Sequence, residues 1–301
     1  MAFIDKLNEI IKKGSVAVDE PMSLHCSFKT GGNADYFVCP GSFDELAEVI
    51  KAAKEESIAV TLIGNGSNLL VSDKGIRGLV IQIGSSLAEI KGENGEYIVD
   101  AGALLSSAAS KMCEDGYAGF EFASGIPGSM GGALVMNAGA YGGEMKDVVK
   151  WVKVLDENLE IKTLTNVEMD FGYRRSAASD RNFIILQGCI VLEKGDIEEI
   201  KRYSAELNAR RRDKQPLNFP SAGSTFKRPE GYFAGKLIED SGLKGYTVGG
   251  ACVSEKHAGF VVNKGGATTE DILGVIKHCK ETVFEKYGIT LETEVKIIGE
   301  F

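Results

Sequence analysis

Glycine is concentrated in one part of this chain, and that concentration constrains the fold more than any other feature. The chain has 37 glycines in 301 residues, and 17 of them lie between residues 60 and 150. Only six prolines accompany them, so the composition is not that of a flexible linker. Glycine is needed where the backbone takes a positive φ or approaches another group closely. We therefore expect loops here whose main chain lies against another group, for which a bound cofactor is one reason.

The charge balance and hydropathy exclude several classes of protein. Lysine and arginine number 34 against 43 aspartate and glutamate, a net charge of −9, whereas binding to nucleic acid or to an anionic membrane needs a positive face. A hydrophobic content of 44% is enough for a core. The six cysteines form no CxxC pair and are expected to be reduced thiols in the cytoplasm. The longest apolar run, residues 183–192, is too short to cross a bilayer, so we expect a soluble protein.

Hydrophobic periodicity predicts a mixed α+β chain with a domain boundary near residue 200. Helices are predicted before Gly14 and over 43–56, 104–115, 196–213, 234–241 and 269–287, with Ser42 as the N-cap of the second. Strands are predicted over 35–39, 59–64, 78–84, 97–103, 151–156, 183–192 and 291–298.

Familiar nucleotide and metal motifs are absent from the sequence. GNGSNL at 64–69 starts like a dinucleotide fingerprint, but Leu69 stands where GxGxxG requires glycine. GK at 235–236 has Glu230 in place of the Walker A glycine. The three histidines form no close-spaced ligand pair, so no metal site is predicted, and there is no GxSxG elbow.

Two glycine-rich loops remain as candidate binding segments. Residues 63–73 offer successive backbone N–H groups together with the side chains of Ser67 and Asn68, a nest that suits a pyrophosphate. Residues 124–144 contain seven glycines and leave a wide surface without side chains. For either loop alone, a tight turn is a slightly better explanation. Both loops in one chain favour a large planar nucleotide such as FAD.

These loops and several later motifs resemble one known family. SFKTGG at 27–32, GNGSNLLVSD, SGIPGSMGG and NAGAYGGE are similar to the flavin-binding segments of UDP-N-acetylenolpyruvoylglucosamine reductases. GYRRS at 172–176, AGSTFKRP at 222–229 and the closing LETEVKIIGE are similar to the catalytic segments of that family. The resemblance runs in order from about residue 20 to the end. It points to the shorter class of the family, which lacks an insertion in the substrate domain.

The resemblance implies an α+β fold with an FAD-binding domain of the vanillyl-alcohol-oxidase type. That domain would span residues 1–200, with two α/β lobes at about 20–80 and 81–195, and a substrate domain would span 201–301. FAD would be bound noncovalently. The implied cofactor contacts are Gly64, Asn65, Gly66, Ser67, Asn68 and Leu69 in the first loop, and Gly125, Ile126, Pro127, Gly128, Ser129, Gly132, Asn137, Ala138 and Gly139 in the second.

The activity that the resemblance implies is reduction of an enolpyruvyl ether on UDP-N-acetylglucosamine to UDP-N-acetylmuramate for peptidoglycan. NADPH would reduce the flavin, hydride would pass from N5 to the vinyl carbon, and a serine would protonate the resulting enolate. Such chemistry also needs a cation over the substrate carboxylate, and Arg174 and Arg175 are the candidates. Neighbouring side chains in an extended segment point to opposite sides, and the resemblance selects Arg174. Arg175 departs from the acidic or neutral residue usual in the family, and no role is assigned to it.

Two further catalytic positions rest on the resemblance. Alternation along the predicted last strand places Glu292 and Glu294 on one face and Leu291, Val295 and Ile297 on the other, but it cannot choose between the two carboxylates. The family position points to Glu294. The family position likewise points to Ser224 as the proton donor, with Ser221 and Thr225 as chemically possible substitutes.

Basic residues near Pro216 are candidates for the substrate diphosphate. Arg210, Arg211, Arg212 and Lys214 precede the proline, and Lys227 and Arg228 follow Ser224. A helix end favours positive charge in any case, so most of this cluster is expected to be structural. Lys214 and Arg228 are the predicted substrate-binding residues, Lys214 because it lies two residues before the proline, as in the family.

Two other functions are compatible with the same loops. An FAD-dependent alcohol or hydroxy-acid oxidase of the same fold would need a substrate-side base and no NADPH site. A non-enzymatic nucleotide-binding protein would keep the loops without the chemistry, and the presence of Arg174, Ser224 and Glu294 argues against it.

Overall fold

The computed structural model describes residues 2–301, and helices alternate with short strands along them. The helices are α1 (Phe3–Ile10), α2 (Phe43–Glu55), α3 (Leu105–Glu114), α4 (Met130–Met136), α5 (Ala177–Asp180), α6 (Ile197–Lys214), α7 (Ala234–Asp240) and α8 (Thr269–Tyr287). The strands are β1 (Ser15–Pro21), β2 (Asn33–Cys39), β3 (Val60–Ile63), β4 (Leu69–Val71), β5 (Ile76–Gln82), β6 (Ile90–Glu93), β7 (Glu96–Asp100), β8 (Tyr117–Ala118), β9 (Gly139–Ala140), β10 (Gly143–Glu144), β11 (Val149–Leu155), β12 (Ile161–Thr165), β13 (Ile184–Val191), β14 (Glu193–Lys194), β15 (Thr247–Val248), β16 (Ala251–Val253), β17 (Val261–Asn263) and β18 (Lys296–Ile298).

These elements form two compact units, each assembled from three stretches of chain. The first unit comprises residues 1–17, 37–65 and 79–211, and the second comprises 18–36, 66–78 and 212–301. The units are interleaved along the sequence, whereas the domains predicted from the sequence are continuous. Compact units and functional domains are therefore different divisions of this chain, and the boundary near residue 200 stays a prediction about function.

The first unit is built around a five-stranded antiparallel sheet with the order β12-β11-β13-β7-β6. Helix α4 packs on β13, and Gly188 of β13 makes that contact possible. A Cβ on Gly188 would lie 2.7 Å from a methyl carbon of Leu134 in α4. The glycine that interrupts the apolar run 183–192 thus admits a helix to the face of the sheet.

A buried carboxylate in the first unit ties α2 to the end of α1. Glu45 is 7% exposed and accepts hydrogen bonds from the backbone N–H groups of Lys12 at 2.9 Å, Lys13 at 2.8 Å and Gly41 at 2.7 Å. Burial by itself would raise the pKa of Glu45, but these three donors outweigh it and lower the pKa below its ordinary value. The predicted N-cap of α2 is confirmed, because Ser42 accepts a hydrogen bond from Glu45 N.

The second unit contains the antiparallel sheet β15-β16-β17 and the parallel pair β4–β18. Helix α8 packs against the three-stranded sheet, and Cys252, Phe260 and Val262 form a buried cluster there. Helix α8 follows the N-cap residue Thr268 and ends at Gly288 in the left-handed conformation.

Two differences from the sequence predictions concern the predicted site. The predicted strand 291–298 is wrong in its first part, since only Lys296–Ile298 forms a strand, and Ile297 is 40% exposed whereas Leu291 and Val295 are buried. The segment changes its pairing partner near Val295, so one alternation cannot describe all of it. The second glycine-rich loop also contains α4, which low helix propensity at Gly131 and Gly132 had hidden.

Candidate functional site

The two glycine-rich loops meet within the first unit. The side-chain amide of Asn65 donates a hydrogen bond to the carbonyl oxygen of Pro127 over 2.9 Å. Gly64 lies so close to Ser129 that a Cβ at position 64 would be 2.5 Å from the Ser129 Oγ. Glycine at position 64 therefore leaves room for the Ser129 side chain of the second loop.

The start of α4 presents main chain with little side chain around it. Ser129 is the N-cap of this helix and is 3% exposed, and the carbonyl oxygen of Gly128 accepts a hydrogen bond from Leu105 N over 3.0 Å. A Cβ on Gly132 would have only the Ser129 Oγ within 4 Å, at 3.7 Å. This part of the second loop is rigidly held and has room beside it for another group.

Asn137 ends α4 in the left-handed conformation, with a φ of 44°, and is buried. Its side-chain nitrogen donates to Glu144 Oε2 at 3.0 Å and to the carbonyl oxygen of Gly172 at 3.1 Å. Its side-chain oxygen accepts from Lys146 N at 2.9 Å. The Asn137 side-chain amide is therefore fully hydrogen-bonded, and it organises this part of the loop.

Arg211 at the end of α6 lies against Gly125 of the second loop. A Cβ on Gly125 would be 3.0 Å from the Arg211 Cδ and 2.7 Å from the Asn208 Oδ1. Burial lowers the pKa of the Arg211 guanidinium, because the charge has lost part of its water. An anion bound beside this loop would offset that loss. In the sequence, Arg211 is one of several basic residues at the end of a helix, and nothing in the sequence distinguishes it as the buried one.

The remainder of the first loop belongs to the second unit. Gly66 has a φ of 62°, and a Cβ there would be 1.9 Å from the carbonyl oxygen of His25. The carbonyl oxygen of Gly66 accepts a hydrogen bond from Ser27 N over 3.1 Å, which joins the loop to the SFKTGG segment. Leu69 opens β4 and pairs with Lys296 of β18. No side chain can be placed at position 66 without moving the backbone.

These loops fit a flavin dinucleotide in the chemistry that they offer. Within the first unit, few side chains surround the main chain at Gly64 and Gly132. Arg211 supplies positive charge next to Gly125 of the second loop. Within the second unit, residues 66–69 present a glycine-dependent loop. Such main-chain nests suit a diphosphate, which needs backbone N–H donors more than side chains.

Arg174 lies in a two-residue turn of the first unit. Gly172 and Arg175 form an antiparallel bridge that closes this turn, and Arg174 has a φ of 56°. Its guanidinium carbon is 5.1 Å from the centre of the Tyr173 ring. The charge of Arg174 also contributes to lowering the pKa of Glu144, after the hydrogen bond from Lys146. The structure thus presents Arg174 from a tight, closed loop.

Ser224 and Glu294 lie on neighbouring segments of the second unit. Lys227 N donates to the carbonyl oxygen of Glu292, and Glu294 N donates to that of Thr225, each over 2.9 Å. Phe226 and Thr293 form an antiparallel bridge between these contacts. Glu294 is therefore part of a short ladder of main-chain hydrogen bonds, and Ser224 directly precedes the ladder.

The same ladder reaches the first loop. The side-chain amide of Asn68 donates to the carbonyl oxygen of Glu294 over 3.1 Å, and Lys296 N donates to the carbonyl oxygen of Asn68 over 3.0 Å. Predicted cofactor and catalytic residues thus meet in the second unit, although 226 positions of sequence separate them.

The two carboxylates that the sequence left open differ in their surroundings. Glu292 is exposed and forms an ion pair with Lys227, whose ammonium lies 3.0 Å from the Glu292 Oε2. This contact lowers the pKa of the Glu292 carboxyl. Glu294 is half-buried beside Asn68. Glu292 is thus engaged in an ion pair on the surface, whereas the main-chain carbonyl of Glu294 accepts the Asn68 amide.

The three hydroxyl groups that the sequence offers as proton donors also differ in their surroundings. Thr225 is fully buried, and its Oγ1 accepts a hydrogen bond from Val261 N over 2.9 Å. Ser224 is exposed and follows Gly223, whose φ is 74° and whose Cβ position is open. Thr225 supports the fold, whereas Ser224 can be reached by a substrate. Ser221 is half-buried and stays a weaker alternative.

The predicted substrate cations also lie in the second unit. Lys214 is exposed at the end of α6, and its charge helps to lower the pKa of His257, although burial is the largest cause of that shift. The guanidinium of Arg228 is 3.9 Å from the centre of the Phe233 ring, and its Nε donates to the carbonyl oxygen of Tyr232. Both neighbours are thus engaged, Lys227 with Glu292 and Arg228 with Tyr232 and Phe233.

His257 and His278 have the surroundings of packing residues. His257 Nδ1 accepts a hydrogen bond from Gly259 N over 3.1 Å, and His278 stacks on Tyr246 with ring centres 4.0 Å apart. Within residues 2–301, no group of three or more histidine, cysteine, aspartate or glutamate side chains could hold a metal ion. None of the helices described over the same residues is long and apolar enough to cross a membrane.

Comparison with known proteins identifies the family. The UDP-N-acetylenolpyruvoylglucosamine reductase of Caldanaerobacter subterraneus subsp. tengcongensis is 55% identical over 297 residues, which are 99% of this chain and 98% of the relative. The chain belongs to this family. The enzyme of the same name from Clostridioides difficile is 52% identical over 298 residues, again 99% of this chain and 98% of the relative.

Domain models and solved structures agree with this membership. A model of the FAD binding domain matches residues 34–165, and a model of the reductase C-terminal domain matches residues 215–298. The crystal structure of UDP-N-acetylenolpyruvylglucosamine reductase from Thermus caldophilus is similar with a TM-score of 0.80 and 31% identity, over 94% of this chain and 98% of that chain. Phl p 4.0202, a glucose dehydrogenase, shares the fold over 65% of this chain and 44% of its own, with a TM-score of 0.50 and 12% identity.

Family membership confirms the predicted α+β fold, the FAD-binding domain of the vanillyl-alcohol-oxidase type and FAD as cofactor. It makes the chain an FAD-containing oxidoreductase that reduces the enolpyruvyl group of a UDP-linked sugar in peptidoglycan synthesis, with a nicotinamide as reductant. The likeness to the glucose dehydrogenase concerns the fold alone and gives no support to the oxidase alternative.

Proposed function

We propose that the chain is an NADPH-dependent reductase in which Arg174, Ser224 and Glu294 carry the substrate chemistry. When bound, FAD accepts the reducing equivalent of the nicotinamide and delivers it to the substrate. The protein must then hold the substrate carboxylate, stabilise the enolate that develops beside it and supply a proton. The cytoplasm is the proposed location, and six unpaired cysteines fit a reducing compartment.

Ser224 is the proposed proton donor. A hydroxyl is a weak acid, so proton transfer from Ser224 Oγ requires a basic carbon at close range. The left-handed backbone of Gly223 and the exposure of Ser224 leave its hydroxyl accessible. The proton passes from Ser224 Oγ to the carbon next to the carboxylate, and the exposed Ser224 alkoxide then takes a proton from solvent water.

Arg174 and Glu294 are proposed to control the charge that develops on the substrate. A guanidinium offers a fork of N–H donors to the carboxylate and to the enolate oxygen. Glu294 orients the donor or a water beside that oxygen. Lys214 and Arg228 bind the diphosphate, for which positive charge at a helix end and beside Ser224 is suited.

The domain assignment is part of this proposal. Residues 1–200 form the FAD-binding domain, with lobes at about 20–80 and 81–195, and residues 201–301 form the substrate domain. The two domain models fall on either side of this boundary, which supports it.

One observation carries the proposal above the others. The ladder that joins Thr225 to Glu294, together with the Asn68 contact, links a proton donor, a carboxylate and a cofactor loop. These contacts hold the main chain of Glu294 beside the predicted cofactor loop, which supports a shared site.

An anaerobic titration tests the proposal. The visible spectrum of the purified protein should show bound flavin, NADPH should bleach it, and UDP-N-acetylglucosamine-enolpyruvate should restore it. Colourless protein that stays colourless with FAD would remove the cofactor assignment. Bleaching by NADPH without reoxidation by the substrate would remove the substrate assignment.

A further inference from the structure

The turn that presents Arg174 holds a backbone conformation that needs support. Gly172 N donates to the carbonyl oxygen of Arg175 over 3.0 Å, and Arg175 N donates back over 3.3 Å, so Tyr173 and Arg174 form a two-residue loop. Arg174 takes a φ of 56°, which is unfavourable for a residue with a Cβ. Such conformations persist where surrounding contacts fix them, and they are common at functional sites.

The side chain of Arg175 provides such contacts on both sides of the turn. Its Nη2 lies 2.5 Å from Asp170 Oδ2 and 2.9 Å from Asp180 Oδ2, and its Nε donates to the same Asp180 oxygen over 3.2 Å. Asp170 precedes the turn and Asp180 ends α5, which follows it. One guanidinium therefore joins the chain that enters the turn to the chain that leaves it.

The stem of Arg175 also lies across the turn itself. A Cβ on Gly172 would be 2.9 Å from the Arg175 Cγ and 3.1 Å from its Cδ. Glycine at position 172 leaves room for this stem, and the carbonyl of Gly172 is held in addition by the Asn137 amide. The arginine therefore covers the backbone of the loop whose tip is Arg174.

Charge explains why arginine suits position 175 in this chain. A carboxylate at position 175 would face the carboxylates of Asp170 and Asp180, and three like charges would repel. Arg175 instead places a positive charge between these two carboxylates, and both contacts are attractive. Exposed pairs of this kind add little to global stability, so a local role is the better explanation of a three-membered network.

We propose that Arg175 is a positioning residue that holds the Gly172–Arg175 turn in the conformation from which Arg174 meets the substrate carboxylate. This inference rests on the proposed role of Arg174. It explains why two adjacent arginines are present although only one contacts substrate: the second is committed to Asp170 and Asp180.

A double-mutant cycle in the holoenzyme tests the proposal. Arg174→Ala, Arg175→Ala and the double variant are compared in the anaerobic substrate half-reaction, with the NADPH half-reaction and thermal melting measured in parallel. We expect Arg175→Ala to lower the rate of substrate reduction roughly tenfold, since small misplacements of a catalytic group have effects of this order or larger. NADPH reduction should change less than twofold. The double variant should be no slower than Arg174→Ala, because Arg175 acts through Arg174.

Two further variants sharpen the cycle. Arg175→Lys keeps one charge without the fork of donors and should recover part of the rate, and Arg181→Ala, a neighbouring exposed arginine, should leave it unchanged. Should Arg175→Ala fail to fold, Asp180→Asn breaks the same contact from its other end and takes its place in the cycle.

The results separate this inference from the proposed function. If Arg174→Ala slows substrate reduction while Arg175→Ala does not, or if the two losses add in the double variant, the positioning role is overturned and the function of Arg174 stands. Equal slowing of both half-reactions by Arg175→Ala also overturns the positioning role. If Arg174→Ala has no effect, the proposed function of Arg174 fails first.

Discussion

The glycine-rich loops of the first unit and the Thr225–Glu294 ladder of the second solve different recognition problems. Around Gly64 and Gly132, few side chains surround the main chain that is proposed to contact the cofactor. Along the ladder, main-chain hydrogen bonds join the two segments, and the proposed functional groups are the side chains of Ser224 and Glu294. A cofactor that is bound by main-chain groups requires many glycines, and this excess is visible in the sequence composition. A substrate that is bound by side chains requires no such excess.

The largest effect in this comparison is expected from Ser224→Ala. Removing the proton donor should slow the substrate half-reaction by about 10³-fold, while NADPH reduction of the flavin stays fast. Rapid-mixing absorbance of the flavin separates the two steps. Ser221→Ala is the matched control and should have little effect. Equal loss of both half-reactions in Ser224→Ala would mean that the serine acts on cofactor binding, and the contrast between the two regions would then disappear.

Glu294→Gln tests whether the ladder presents one functional carboxylate. We expect a loss of roughly 10²-fold in kcat, because the carboxylate that orients the donor or water is replaced by an amide of similar shape. Glu292→Gln removes a carboxylate two positions away that is already paired with Lys227, and it should change kcat less than twofold. Steady-state kinetics of both variants suffice. A larger loss in Glu292→Gln would reverse the assignment.

Gly66→Ala tests whether backbone approach governs cofactor binding. A Cβ at this position would strike the carbonyl oxygen of His25 and would have to tolerate a positive φ. The loop must move, so we expect FAD affinity to fall about thirtyfold, or about 2 kcal/mol. Gly84→Ala is the control, since nothing lies within 4 Å of its Cβ position. Fluorescence titration of apoprotein with FAD measures both, and equal affinity of the two variants would contradict the argument.

The smallest effect is expected from a substitution at Glu45, which lies outside both the glycine-rich loops and the Thr225–Glu294 ladder. Glu45→Gln should lower the free energy of unfolding by about 1.5 kcal/mol, because three backbone N–H groups lose a charged acceptor. Since the pKa of Glu45 is lowered in the folded state, its contribution is complete above the ordinary value of 4.5 and is lost as pH falls through the lowered value. The difference between wild type and variant should therefore shrink in acid.

Denaturant unfolding of apoprotein at several pH values measures the Glu45 effect. Glu48→Gln, at an exposed position of the same helix, is the control. A difference between wild type and Glu45→Gln that grows as pH falls would contradict the sign of the lowered pKa.

Local sequence signals predicted much of the secondary structure. Helices α2, α6, α7 and α8 lie within a residue or two of their predicted positions, because each has a periodic apolar face or a terminal signal that acts over one turn. Helix α4 was missed since its glycines oppose helix formation locally, and packing of Leu134 on Gly188 compensates.

Composition alone indicates that main chain with few side chains is concentrated between residues 60 and 150, and the sequence motifs are sufficient to identify the family. Only the folded structure shows which contacts distinguish two similar residues that lie close in sequence. Glu292 pairs with Lys227 while Glu294 adjoins Asn68, and Arg175 is held by two aspartates beneath the turn of Arg174. Residues that lie close in sequence share the same local pattern. They can therefore be distinguished only by contacts with distant segments, and hydrophobic periodicity does not predict those contacts.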